Sequence, residues 1–286
     1  MRVKNTPFPV ASLLQSRGRL LSVESPVVMG ILNLTPDSFY KGSRVAAEKQ
    51  ILQRAEDMIR NGAAILDIGG ASTRPGSKAP GLITEMRRVI PAIEAIAKRF
   101  PEIWISIDTF HAEVAAAAVD VGAAVVNDIS GGLLDAKMLQ TVATLKVPYV
   151  AMHMQGTPET MQQNPVYENV VLDVFQILKN RCLAAREAGI RDVILDVGFG
   201  FGKNLQHNYT LLRDMADFRI LGCPLLAGIS RKGMVWKALD ITADDALNGT
   251  TAAHMLALQG GASILRAHDV KEAVEAVRIW ELYAAA

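Results

Sequence analysis

The sequence predicts an α/β chain folded as a single (β/α)8 TIM barrel, and three observations carry that expectation. Eight short segments are apolar at successive positions, each is followed by a stretch compatible with a helix, and the polar residues interrupting the apolar segments gather at their C-terminal ends. Segments that are apolar throughout, without alternation, mark strands covered on both faces, as in a parallel sheet. Eight strand–helix units is the number on which such a barrel closes. An open doubly wound sheet is the alternative. At 286 residues the chain exceeds the length of an average domain, yet α/β barrels of about 250 residues fold as one unit.

Residues 1–25 precede the first strand and alternate in a way that suits a short hairpin, expected to cap the barrel bottom; residues 26–286 are expected to form the barrel. The strand segments are VVMGILNL (27–34), AAILDIGG (63–70), IWISIDT (103–109), AAVVNDIS (123–130), PYVAMHM (148–154), DVILDVGF (192–199), PLLAGIS (224–230) and SILRAHD (263–269). Helical periodicity runs through 46–62, 83–100 and 111–122, and Gly62, Gly122, Gly189 and Gly261 stand where a left-handed residue would stop a helix before the next strand. No linker or low-complexity stretch divides the barrel.

Composition narrows the function. Lys plus Arg number 30 against 29 Asp plus Glu, a net charge of +1, so no long-range field draws the chain to nucleic acid or membrane and any anion must be caught locally. The two cysteines, Cys182 and Cys223, fit no zinc or CxxC spacing and are too few for a disulfide framework. The first twenty residues, broken by two prolines, match neither a signal peptide nor an anchor, and no run of about 18 apolar residues occurs elsewhere. A cytoplasmic protein is expected.

The strand-end polar residues are Asn33, Asp67, Asp108, Asn127, His153, Asp196, Arg266 and His268. In a barrel these ends share one pocket, because the βα loops converge over them. GFGFGK (198–203) fails the P-loop pattern at Val197 and Asn204 and the Rossmann spacing at Lys203, so its glycines are expected to let backbone approach a ligand between Phe199 and Phe201 walls. The histidines at 111, 153, 207, 254 and 268 form no zinc-ligand pattern. Oxygen donors suit Mg²⁺, an ion that usually arrives with substrate phosphates. Arg74, together with Arg266 and His268 two apart on one strand face and Asn33, is suited to a pyrophosphate; a solvated Arg74 and an Arg266 paired to a barrel aspartate are the competing roles.

Together MGILNLTPDSF (29–39), DIGGASTRPGS (67–77), SIDT (106–109), NDIS (127–130), MHMQGTP (152–158), DVGFGFGKN (196–204), GISRK (228–232) and RAHDVKE (266–272) resemble the dihydropteroate synthase family, pterin-binding barrels of folate biosynthesis, over residues 26–283. The resemblance implies a transferase that condenses 6-hydroxymethyl-7,8-dihydropterin diphosphate with p-aminobenzoate, releasing pyrophosphate and 7,8-dihydropteroate, with Mg²⁺ as cofactor, small molecules as the partners, sulfonamides as inhibitors and a homodimeric assembly. It implies pterin binding by Asp108, Asn127, Met152, Asp196, Lys232 and Arg266, and diphosphate binding by Asn33, Thr73, Arg74, Arg266 and His268, with Asn33 toward the metal. Phe39, Pro75, Phe201, Ser230, Arg231 and Gly233 correspond to the p-aminobenzoate site, and Lys232, Arg266, His268 and Arg74 to the groups acting in catalysis. The chemistry is compatible: buried carboxylates accept the pterin's row of N–H groups, an ammonium meets its carbonyl, and a guanidinium stacks on its ring. No nucleophilic side chain is required for a dissociative displacement in which basic groups and metal stabilise the leaving pyrophosphate.

The chain departs from the family pattern at four positions. Lys41 stands where an Asp is usual, Ala71 for Glu, Val197 for Pro and Gly233 for Ser. A methyltetrahydrofolate-type methyltransferase on the same barrel shares the aspartate and asparagine set but has no use for STRPG or SRK. A non-catalytic pterin-binding paralogue would tolerate Lys41 and Gly233.

Overall fold

The computed structural model describes residues 10–34, 44–70, 81–157, 161 and 165–286. Eight parallel strands close into a barrel in chain order: β3 (Val27–Asn33), β4 (Ile65–Gly69), β5 (Trp104–Asp108), β6 (Val125–Asp128), β7 (Tyr149–Met152), β8 (Val193–Asp196), β9 (Leu225–Ala227) and β10 (Ala262–Ala267), which returns to β3. Around them lie helices α1 (Arg44–Arg60), α2 (Leu82–Arg99), α3 (Ala112–Asp120), α4 (Met138–Leu145), α5 (Val170–Glu187), α6 (Leu205–Arg213), α7 (Gly233–Trp236), α8 (Leu247–Gln259) and α9 (Val270–Ala285). The closed barrel excludes the doubly wound alternative. Gly62, Gly122, Gly189 and Gly261 all take positive φ, at 95°, 130°, 100° and 89°, as the helix stops require.

Period-two alternation explains both the core and the pocket. Val28, Leu32, Leu66, Ile68, Ile105 and Ile107 turn outward and pack with the helices. The alternate residues Met29, Ile65, Trp104, Val125, Val150, Ile194, Leu226 and Ile264 form a separate apolar cluster that floors the barrel interior. Two residues further along the same strands, the interior positions are Asp67, Ser106, Asn127, Met152, Asp196, Gly228 and Arg266, the layer from which the pocket is built. Register aligns the mouth: Asn33 pairs with Gly69, Gly69 with Asp108, and Asp108 with Asn127, so one row crosses four strands. On the far side Met152 pairs with Asp196.

The expected hairpin is present. β1 (Leu13–Ser16) pairs antiparallel with β2 (Arg19–Ser22), and Arg17 and Gly18 between them have φ of 50° and 75°, the left-handed pair that a tight two-residue hairpin turn demands. Leu14 and the following Val23 join the floor cluster, and the Gln15 amide donates to Asp192 Oδ2 at 2.8 Å.

The last strand stops at Ala267, and His268 lies exposed just beyond it. The helix opening at Gly233 is a single turn. The two cysteines, unrelated by spacing, lie with sulfurs 3.4 Å apart in the core as free thiols. Among the described residues no helix is long and apolar enough to cross a membrane.

Candidate active site

Arg266 rises from the floor isoleucine Ile264 into the mouth and is held by its edge. Its Nε–H donates to Asp67 Oδ2 at 2.6 Å and its Nη2–H to Asp108 Oδ2 at 2.7 Å. Asn127 Nδ2 donates to the same Asp67 oxygen at 3.2 Å, which turns the asparagine carbonyl oxygen toward other donors. Asp67 is fully buried, so its charge is compensated by these donors alone among the described side chains. Burial pushes the Asp108 carboxyl up, against the pull of Arg266, and the neighbouring Asp67 carboxylate pushes the same way. The pairing of Arg266 with a barrel aspartate is therefore real, and it leaves the flat face of the guanidinium unobstructed by that pairing.

Asp196 and Lys232 meet opposite this network. Asp196 Oδ1 accepts the Gly198 amide at 2.7 Å. Lys232 Nζ donates to the Phe199 carbonyl at 2.7 Å and stands 4.6 Å from the centroid of the Phe201 ring. Burial lowers the Lys232 ammonium to about 8, against the pull of Asp196. A Cβ on Gly228 would lie 3.5 Å from Lys232 Nζ and 3.8 Å from Asp196 Oδ2, so this glycine leaves open the space on which carboxylate and ammonium converge. Met152 and Phe201 share a small apolar cluster with Ile129 and Met161 at the same mouth.

In the glycine-rich turn a Cβ on Gly198 would fall 1.9 Å from the His153 carbonyl oxygen, so this glycine admits a close backbone approach to the residue that follows β7. Phe199 is wholly buried in the helix-facing core, leaving Phe201 as the mouth aromatic. Val197 is in that same core, so the departure there alters packing and no pocket-facing group.

The remaining expected residues divide. Asn33, partly buried at the end of β3, places Oδ1 3.3 Å from where a Gly69 Cβ would stand. Ser230 is buried and its hydroxyl accepts the His268 amide at 3.2 Å, while His268 itself is exposed beside Arg54, Asn61 and Lys271. Arg231 is placed otherwise than the resemblance implies. Its Nε and Nη2 bind both oxygens of Asp269, at 2.8 and 2.9 Å, and its Nη1 the carbonyls of Ala243 and Asp244, at 3.0 and 2.6 Å. With four hydrogen bonds and a φ of 53° this arginine braces the turn between β9 and α7. Gly233 opens that one-turn helix with ordinary room for a side chain, its nearest neighbour being Lys237 Cε at 3.6 Å. Phe39, Lys41, Ala71, Thr73, Arg74 and Pro75 lie outside the described residues.

Sequence reasoning placed Asp67 at the shared mouth without a partner of its own and quoted Gly228 only as the start of GISRK. A buried arginine that faces one carboxylate leaves donors for a second, which was the available signal for Asp67; none pointed to the space that Gly228 leaves open. Among the described residues no group of three His, Cys, Asp or Glu is arranged to hold a metal. A cavity of about 660 Å³ at the opposite end, between Arg19, Leu21, Ile59, Phe100 and Trp104, contains none of the residues expected to act.

Comparison with known proteins agrees with this geometry. A family model described as pterin binding enzyme matches residues 29–268. The dihydropteroate synthase of Haemophilus influenzae is 43% identical over 270 residues, covering 94% of this chain and 98% of the relative. Among solved structures, the Xanthomonas albilineans dihydropteroate synthase with 4-aminobenzoic acid superposes with a TM-score of 0.90 at 40% identity, covering 97% of this chain and all of that one. The same enzyme in complex with 7,8-dihydropteroate gives 0.86 at 38%, covering 96% and 99%. With a family match across most of the barrel and relatives aligned over nearly their whole length, the chain belongs to the pterin-binding enzymes and, within them, to the dihydropteroate synthase family.

Proposed function

We propose that the barrel mouth condenses 6-hydroxymethyl-7,8-dihydropterin diphosphate with p-aminobenzoate to give 7,8-dihydropteroate and pyrophosphate. The observation that carries this reading is the convergence of Asp196 and Lys232 on the space above Gly228, across from the Asp108–Asn127 row that Arg266 borders. A pterin presents adjacent N–H donors on one edge and a carbonyl beside them, which match a carboxylate next to an ammonium.

In this reading Asp196, Asp108 and Asn127 accept or exchange hydrogen bonds with the pterin edge, Lys232 donates to its carbonyl, and Met152 and the Arg266 face enclose the ring. Asn33, Arg266 and His268, with Thr73 and Arg74, bind the diphosphate. Phe201, Ser230 and Gly233, with Phe39 and Pro75, form the p-aminobenzoate side, while Arg231 contributes by bracing the turn that presents Ser230 and Lys232. Asn33 offers a hard amide oxygen, and a site with a single protein donor fits Mg²⁺ delivered with a diphosphate. That ion would neutralise charge on the leaving pyrophosphate.

The chemical step breaks the bond between the exocyclic methylene and the diphosphate oxygen and forms the bond from that carbon to the arylamine nitrogen, which then loses a proton. The chain's own contribution is to hold the pterin edge, orient the amine in line with the methylene, and meet developing negative charge with Arg266 and Lys232 held in place beforehand. The same reading takes residues 1–25 as an extension of a barrel domain at 26–286, and the protein as a cytoplasmic homodimer. Turnover and pterin affinity in Lys232→Ala and Arg266→Ala test it: large losses in both are expected, and normal turnover with normal affinity would remove these residues from the mechanism.

A further inference from the structure

Lys203 is a buried lysine for which the site description has no use. It follows the glycine-rich turn, its side chain is 3% exposed, and no carboxylate receives a hydrogen bond from it. Nζ instead lies 2.9 Å from His153 Nδ1 and donates to the Gly198 carbonyl at 2.9 Å and the Phe201 carbonyl at 3.0 Å, with the His153 carbonyl at 3.5 Å. Burial holds the Lys203 amine well below its usual range, against the pull of Asp196, and no ion pair among the described residues secures it, so the arrangement is explained by what it orients.

What it orients is the turn bearing Phe201. Lys203 holds the carbonyls of Gly198 and Phe201 from the β7 side, while Lys232 holds the Phe199 carbonyl and lies over the Phe201 ring. Two lysines thus fix three carbonyls of one turn, those of Gly198, Phe199 and Phe201, and any shift of that turn displaces both the aromatic ring and the ammonium resting on it. His153 completes the arrangement. Its Nδ1 is bonded to Lys203 Nζ, and Nε2 is buried with no hydrogen-bond partner among the described residues. Burial pushes the His153 imidazole down to about 2, and the adjacent Lys203 pushes it the same way, so the ring stays neutral.

We propose that Lys203, seated on His153, is a positioning residue for the p-aminobenzoate subsite, holding the 198–203 turn so that Phe201 and Lys232 keep their mutual placement. The proposal rests on the reading above that Phe201 borders p-aminobenzoate. It goes beyond that reading in predicting that Lys203, without touching p-aminobenzoate, governs its subsite through the turn, to which the pterin-side Asp196 and Lys232 are also bonded while Asp108 and Asn127 are not.

The test uses the full-length enzyme and measures KM for p-aminobenzoate, kcat, and pterin affinity by calorimetry. Lys203→Met keeps the aliphatic stem and removes the amine; it should raise KM for p-aminobenzoate by about tenfold, with a smaller loss of pterin affinity passed on through Asp196 and Lys232. His153→Leu should reproduce the defect. His153→Asn, which puts an acceptor oxygen near the position of Nδ1, should restore most of it, a rescue that bulk loss of packing does not give. If Lys203→Met does not fold, the two His153 variants decide the matter with Lys203 intact. Unchanged KM in His153→Leu, or equal impairment in His153→Leu and His153→Asn, would overturn the proposal. Phe201→Ala separates the two layers of argument: no change in KM there removes Phe201 from the subsite, whereas a raised KM there with none in the Lys203 and His153 variants removes the positioning role alone.

Discussion

Arg266 Nε donates to Asp67 Oδ2 at 2.6 Å, joining β10 to β4 past the strand that lies between them. The aspartate is fully buried and the arginine is its charged partner. Removing one member of such a pair leaves an uncompensated buried charge, which typically costs about 3–5 kcal/mol. Arg266→Ala should therefore lower unfolding free energy by about that much in urea titration as well as abolish turnover. Adding Asp67→Asn should restore part of the stability and none of the activity. Full stability in the single variant would mean that the pair does not compensate Asp67.

Pterin affinity should depend on Asp196 and hardly on salt, because the recognised edge is neutral and the carboxylate is enclosed. Asp196→Asn places an N–H₂ against N–H donors and should weaken pterin binding by about 2–4 kcal/mol, read by calorimetry. Equal affinity in the two proteins would remove Asp196 from recognition.

Glu85, in the first turn of α2, is 1% exposed, and among the described residues neither carboxylate oxygen has a hydrogen-bond partner. Burial raises its carboxyl from 4.5 to about 7. Between those values the folded protein holds a proton that the unfolded chain releases, so the contribution of Glu85 to stability is full below pH 4.5 and is lost as pH rises through 7. Glu85→Gln should stabilise the protein at pH 8 by on the order of 1–3 kcal/mol and change little at pH 4.5. Equal melting-temperature shifts at both pH values would contradict this.

Lys232 makes the opposite kind of prediction. Its ammonium must stay charged to donate to a pterin carbonyl, and burial has lowered it from 10.5 to about 8. The alkaline limb of kcat/KM should fall with a midpoint near 8, reporting the free enzyme. The stability term runs the other way, since between 8 and 10.5 the unfolded chain is the one holding the proton, so stability from this group rises with pH across that window. An activity profile flat to pH 10 would show that the charge on Lys232 is not needed.

The fold was legible because each barrel strand repeats the same local message. Ile65 and Asp67, Val125 and Asn127, Ile194 and Asp196, and Ile264 and Arg266 are floor and pocket residues two apart on their strands, so an apolar segment ending in one polar residue predicts both its strand and its role. What the sequence concealed depends on contacts between strands. Nothing local says that Arg266 will bridge Asp67 and Asp108, or that Arg231 will turn from the pocket to grip Asp269. Gly198 was legible as a close approach, but the neighbouring carbonyl it admits, that of His153 just past β7, comes from a segment distant in sequence. Lys203 was legible only as a residue that breaks a nucleotide-binding pattern; its partners come together only in the folded turn.

The most direct test of the central claim is pyrophosphate release from the pterin diphosphate, measured with and without p-aminobenzoate. The account predicts release that depends on p-aminobenzoate and matches the dihydropteroate formed mole for mole. Tight pterin binding with no release in either condition, or release at the same rate whether or not the arylamine is present, would contradict it.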